Sequence, residues 1–190
     1  MNRFVTSAVA VVLSVVVIGC SGSAPTSPSS MQGVSVGGRV FAVDEGPFSP
    51  ADSNFIAVSS RMHQAFVQIA RAAEGRVAHP GVKLFAQQMA QENTERLDIL
   101  RQSVRSAVAQ TIVIDPAHQD LLNRVSAARG NEADQVFTQG FLPELEAMLA
   151  LYQQAGRSSD SRVLREIAND FVDRLSNYIE DLRELVNRVR

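Results

Sequence analysis

Residues 80–108 read PGVKLFAQQMAQENTERLDILRQSVRSAV, and this stretch decides the fold. Its apolar residues are Val82, Phe85, Met89, Leu97, Leu100, Val104 and Val108. They recur at steps of three and four, with one longer step across Asn93, which places them on one face of a helix. Pro80 suits the first helical turn, where its missing N–H costs no hydrogen bond. Asn93 is the polar intruder on the face. A stripe this long is stable only if other stripes cover it.

The flanking sequence supplies them. Upstream, Asp52-Ser53-Asn54 offers helix caps and leads into Phe55, Val58, Met62, Phe66, Ile69 and Ala73 at helical spacing. Gly75 weakens this helix, and His79-Pro80-Gly81 ends it. Downstream, Asp115-Pro116 reads as a cap and first-turn proline for a helix carrying Leu121, Leu122 and Val125. Gly130-Asn131 interrupts it; the pattern resumes with Ala133, Val136, Phe137, Phe141, Leu145, Met148, Leu149 and Tyr152. Pro143 should bend that helix, and Gly156 reads as its stop. From about Ser159 a last stripe runs through Leu164, Ile167, Phe171, Leu175, Tyr178, Leu182 and Val186. Four amphipathic stretches with short connections predict an all-α, antiparallel four-helix bundle over residues 52–190. None is apolar all round, so none reads as a membrane span.

The N-terminus has a different texture. After Arg3, residues 4–18 form the apolar run FVTSAVAVVLSVVVI. A membrane span needs about 20 residues, so the run fits a secretory signal better. It ends in Val17-Ile18-Gly19-Cys20, which resembles the bacterial lipobox, and Cys20 is the only cysteine of the chain. That resemblance implies a signal peptide over 1–19, with Cys20 becoming the lipid-bearing first residue of the mature protein. Each buried lipid CH₂ contributes about 0.8 kcal/mol, so several acyl chains hold a protein on a bilayer. Residues 20–51 are rich in Ser, Gly and Pro and read as a flexible tether. Val34-Ser35-Val36 and Val40-Phe41-Ala42-Val43 alternate weakly inside it. The implied location is the bacterial cell envelope. By resemblance to Gram-negative lipoproteins, Ser21 after the cysteine favours the outer membrane, facing the periplasm, if the source is Gram-negative.

Composition narrows the function classes. The 190 residues carry 18 basic and 20 acidic side chains, a formal charge of −2, which argues against binding nucleic-acid backbone. One cysteine excludes an internal disulfide and a multi-cysteine zinc site. Seventeen of the basic residues are Arg, with Lys83 alone, which reads as genome bias.

Residues 73–93, AEGRVAHPGVKLFAQQMAQEN, resemble the signature of the family called domain of unknown function 4142, exported helical bundles grouped with the ferritin-like fold. Pro80, Val82-Lys83, Phe85-Ala86 and Met89 match its pattern, while Glu92-Asn93 stands where Asp-His is usual. Gly130 and Asp134-x-x-Phe137 resemble the family's Gly followed by Asp-x-x-Tyr. The family's later histidines fall at Leu145 and near Tyr178. The resemblance implies a ferritin-like bundle in which the family's three inward histidine positions are Asn93, Leu145 and Tyr178.

Di-metal bundles use inward Glu and Glu-x-x-His motifs, and no Glu-x-x-His occurs here. Glu92 and Arg96 read as an i,i+4 pair on a solvated face; Asp170 and Arg174 read as part of a charged outer face, and Glu144 and Glu146 as pointing outward. His63 reads as a boundary histidine, His79 as a turn residue and His118 as a first-turn residue. Neither Gly-x-Ser-x-Gly nor a phosphate-binding loop is present. Asn93 and Tyr178 are the candidate core polar site, bonded to each other or to backbone. If that site is structural, Asn93→Leu should be tolerated. No catalytic residue, metal or cofactor is expected. The expected function is a lipid-anchored, non-enzymatic binding or structural module. Its partners would be the membrane, through Cys20, and an envelope protein; the alternative is a metal or small ligand held in the bundle core.

Overall fold

A computed structural model describes residues 33–36, 39–104, 107–108 and 111–190. Val17, Ile18, Gly19 and Cys20 lie outside the described residues. Two short strands, β1 (Gly33–Val36) and β2 (Arg39–Ala42), precede five helices. The helices are α1 (Pro50–Glu74), α2 (Pro80–Ser103), α3 (Pro116–Ala127), α4 (Asn131–Ser158) and α5 (Arg162–Arg188). The chain is therefore all-α in its body. The segment read as tether is partly structured, because β1 and β2 pair as an antiparallel hairpin with Val34 opposite Phe41. Phe41 is buried, which rewards ordering this segment.

Local chemistry starts most of the helices. Three begin with a cap followed by proline. The Ser49 hydroxyl accepts from the Asp52 amide ahead of Pro50. His79 Nδ1 accepts from the Gly81 amide across Pro80. The Asp115 carboxylate accepts from the His118 amide across Pro116. Proline preorganises the first turn while the side chain satisfies an orphan amide. The first helix thus begins at Pro50, not Asp52. Asp52 instead turns inward, where its carboxylate accepts from the Ser159 hydroxyl and the Ser161 amide and ties α1 to the α4–α5 turn. α4 runs through Pro143 and past Gly156 to Ser158.

Contacts between helices set their directions. α1 lies antiparallel to α4, since Phe55 meets Tyr152 while Phe66 meets Phe141. α2 lies antiparallel to α5, since Arg96 meets Asp170 while Glu92 meets Tyr178. The turns 75–79 and 159–161 make α1–α2 and α4–α5 antiparallel hairpins. It follows that α2 and α4 run parallel. Residues 104–130, which include α3, carry the chain from one end of the bundle back to the other. This corrects the expectation of short connections throughout: one long crossover is the connectivity of ferritin-like bundles. Gly130 ends the crossover with φ 61°, a backbone shape that favours glycine, and its amide donates to the Arg76 carbonyl at 2.8 Å.

The core is aromatic and aliphatic. Phe66, Phe137, Phe141, Phe171 and Tyr152 are among the largest fully buried side chains. Each such side chain contributes about 1.5–3 kcal/mol through burial. No described helix is long and apolar enough to cross a membrane.

Candidate functional site

Halfway along the bundle the apolar core is interrupted by a polar layer to which α1, α2, α4 and α5 all contribute. His63 on α1 is fully buried. It occupies the inner face with Ser59, Phe66 and Ala70, so it is a core residue and not a boundary one. Its Nδ1 lies 2.8 Å from Asn93 Oδ1, and its Nε2 lies 2.5 Å from the Tyr152 hydroxyl. Asn93 Nδ2 donates to the Met89 carbonyl at 2.7 Å, which leaves Oδ1 as an acceptor. His63 Nδ1–H then donates to Asn93, and Nε2 accepts from Tyr152 O–H. Every polar atom of the triad is satisfied by the neutral imidazole.

The environment keeps it neutral. Desolvation is the main reason the His63 pKa falls from 6.5 to about 4, and the Arg96 charge lowers it further. Burial likewise pushes the Tyr152 hydroxyl upward, so it stays protonated.

Phe171 of α5 links this triad to a second cluster. Its ring packs against those of His63 and Tyr152, and the Arg96 guanidinium lies 4.6 Å from its centroid. Arg96 is buried. Its Nε donates to Glu92 Oε1 at 2.8 Å and its Nη1 to Asp170 Oδ2 at 2.7 Å. Arg174 Nη1 reaches Glu92 Oε2 at 3.2 Å, and the Tyr178 hydroxyl donates to the same oxygen at 3.1 Å. Burial alone would raise the Glu92 carboxyl; the hydrogen bond from Arg96 and the charges of Arg96 and Arg174 hold it below its ordinary value. Burial and the neighbouring Glu92 charge push Tyr178 upward. Among the described residues, Arg96 and Arg174 thus face the carboxylates of Glu92 and Asp170.

Several sequence expectations are corrected here. Glu92–Arg96 is an i,i+4 pair, but a buried one, because α5 folds over it. Asp170 is not on an outer face: its side chain is 9% exposed. Asn93 and Tyr178 both enter the polar layer; Asn93 bonds to the Met89 backbone, as one alternative had it, and to His63, while Tyr178 bonds to Glu92 and not to Asn93. Leu145, at the family's other histidine position, is plain core. Glu144 is partly buried at the edge of the bundle, lying 3.1 Å from His118 Nε2. Glu146 meets Arg183 at the surface. The periodicity did carry a signal for the missed residues. Glu92, Arg96, Ile99 and Ser103 form a second inward line on α2 at steps of four, three and four, and all four are buried.

Among the described residues, the buried groups of the layer bond to one another. Among the described residues, no three His, Cys, Asp or Glu side chains converge as a metal-binding group. The carboxylates of the layer face arginine and tyrosine donors, and both His63 nitrogens have partners.

Comparison with known proteins agrees with the architecture. The chain is similar in fold to a DUF305 fragment from Deinococcus radiodurans, with a TM-score of 0.66 and 14% identity over 75% of this chain and 99% of that one. It is also similar to CopM in its Cu(II)-bound form, with a TM-score of 0.62 and 15% identity over 73% and 97% of the two chains. Identities this low speak to the fold alone. No curated protein matches in sequence. The sequence model described as "Domain of unknown function (DUF4142)" matches residues 42–185, and the chain belongs to that family.

Proposed function

We propose that this chain is a lipid-anchored protein of the bacterial cell envelope whose bundle is a non-enzymatic binding or structural module. One observation carries the second half of this reading: the buried groups of the central polar layer bond to one another. A nucleophile, a general base or a metal ligand needs a lone pair or a proton facing a substrate. Here the hydrogen-bonding groups of His63, Asn93, Glu92 and Arg96 face other side chains or backbone inside the bundle. The first half rests on the lone Cys20 directly after an apolar run and Gly19. The membrane is then one partner, through lipid on Cys20, and an envelope protein the other. A Gram-negative source would place the bundle at the outer membrane, on the periplasmic side.

Cys20→Ser should abolish labelling by radioactive palmitate and release the protein from membranes or leave it unprocessed. Equal palmitate incorporation by wild type and variant would overturn the anchor. The competing reading is a metal or small ligand in the bundle core, and the fold shared with a copper-bound protein keeps it worth testing. Elemental analysis of purified protein separates the two. Stoichiometric copper, iron, manganese or zinc, lost on Asn93→Leu, would favour the ligand-binding reading.

A further inference from the structure

The connection from α2 to α3 passes beside α1 and leaves a cleft of about 240 Å³ there, outside the central layer. Its apolar lining is Ala57 of α1 with Ala107, Ile112 and Val113 of the connection. Val113 is 74% exposed, which leaves a branched apolar side chain in water. The polar lining is Thr111 and, from α1, Ser60 and Arg61. Ser60 is 3% exposed, and its Oγ has no hydrogen-bond partner among the described residues. Elsewhere in the helices Ser59, Thr94, Thr138, Ser158 and Ser176 each donate to the carbonyl four residues earlier. A buried hydroxyl without a partner costs free energy, so a fold that keeps one calls for a reason. Ser103 Oγ is the other such hydroxyl among the described residues, and it does not line the cleft. Arg61 is exposed and forms no ion pair with a described residue.

A guanidinium and a hydroxyl, both unpaired, stand here beside an apolar wall. We propose that this cleft binds a short aliphatic carboxylate. The carboxylate accepts from the Arg61 guanidinium, which presents a planar fork of donors, and from the Ser60 hydroxyl. The alkyl chain lies along Ala57, Ala107 and Ile112 and takes the exposed Val113 side chain out of water. One cation and one hydroxyl match a singly charged group; a phosphate dianion would leave charge unbalanced against the apolar wall. Sites for drug-sized ligands measure roughly 300–1,000 Å³, so a cleft of about 240 Å³ selects a small occupant. The site is separate from the central layer, and its ligand does not depend on lipid at Cys20.

Titration of the nitrogen-15-labelled full chain with sodium octanoate, followed by amide chemical shifts, tests this. Cys20→Ser serves as the background, so that lipid on that residue cannot fill the cleft. Amides of residues 57–61 and 111–113 should shift saturably at one ligand per chain, while those of α5 stay level. Arg61→Gln should weaken binding roughly tenfold, the scale of one charge-assisted hydrogen bond, and Ser60→Ala should weaken it less. Both variants should keep the parent circular dichroism spectrum, since Arg61 is exposed and Ser60 loses only an unsatisfied hydroxyl. Octanol, with the same chain and no carboxylate, should bind about tenfold more weakly. Octanoate that shifts no amide of the cleft, equal binding with and without Arg61→Gln, or equal binding of octanol would each overturn the site. Phosphatidylglycerol vesicles that bind through Arg61, with no shift from octanoate, would overturn it in favour of a bilayer surface.

Discussion

Acid should destabilise this bundle through His63 before its carboxylates titrate. In the folded state the ring is buried and neutral, with a pKa of about 4 against an ordinary 6.5. The unfolded chain therefore takes up this proton first as pH falls. The stabilising contribution is complete above pH 6.5 and is lost as pH falls through 6.5 toward 4. A shift of that size is worth about 3 kcal/mol in total, of which about 2–3 kcal/mol is lost by pH 4.5. Glu92 and Asp115, held below their ordinary values, lose stability in the same direction, but only once their unfolded counterparts begin to protonate near pH 4–5. The interval from pH 7.5 to 5.5 therefore isolates histidine chemistry. Urea denaturation followed by circular dichroism at several pH values gives the stability curve. His63→Gln provides the reference, because an amide can donate to Asn93 or accept from Tyr152 but does not titrate. The wild-type curve should fall away from the variant's by about 1 kcal/mol at pH 5.5 and about 2–3 kcal/mol at pH 4.5. Parallel curves would refute the argument that burial holds His63 neutral.

Three further outcomes follow from the packing. Arg96→Met should destabilise by about 1–3 kcal/mol, because it takes one charged donor from each of the Glu92 and Asp170 carboxylates; a thermal melt within a degree of wild type would contradict this. Asn93→Leu, tolerable on sequence grounds, should cost about 1–3 kcal/mol, since it leaves a buried His63 N–H without an acceptor; denaturant titration checks it. Two glycines of α4 should respond oppositely to alanine. At Gly140 a Cβ would sit 2.4 Å from Leu121 Cδ1, a buried side chain, so Gly140→Ala should destabilise by about 1–3 kcal/mol. At Gly156 the new atom meets only the side chain of exposed Asn169, which can swing away, so Gly156→Ala should stabilise by up to about 1 kcal/mol; paired chemical melts give both signs.

The sequence by itself determined the helices, and the reason is local. A three-and-four spacing of Phe, Leu, Met and Val forces one face inward wherever it occurs, and Ser49-Pro50, His79-Pro80 and Asp115-Pro116 cap and start helices within a few residues. Family membership was legible for the same reason, since Pro80 through Met89 is a contiguous motif. The polar layer was not legible, apart from Asn93 and Tyr178. Whether Glu92, Arg96 and Asp170 face water or protein depends on α5 lying over α2, and periodicity within one helix says nothing of what covers its flank. His63 was placed one step off its stripe, yet a bundle helix with neighbours on two sides buries a wider arc than a single row. Only the tertiary structure could decide that arc. It also decided the crossover: a chain can return up or down after α2 with the same helical pattern, and the choice is made by which aromatic faces meet, Phe66 against Phe141 and Phe55 against Tyr152. Local spacing determines which side chains seek burial; long-range packing determines which polar groups are buried with them.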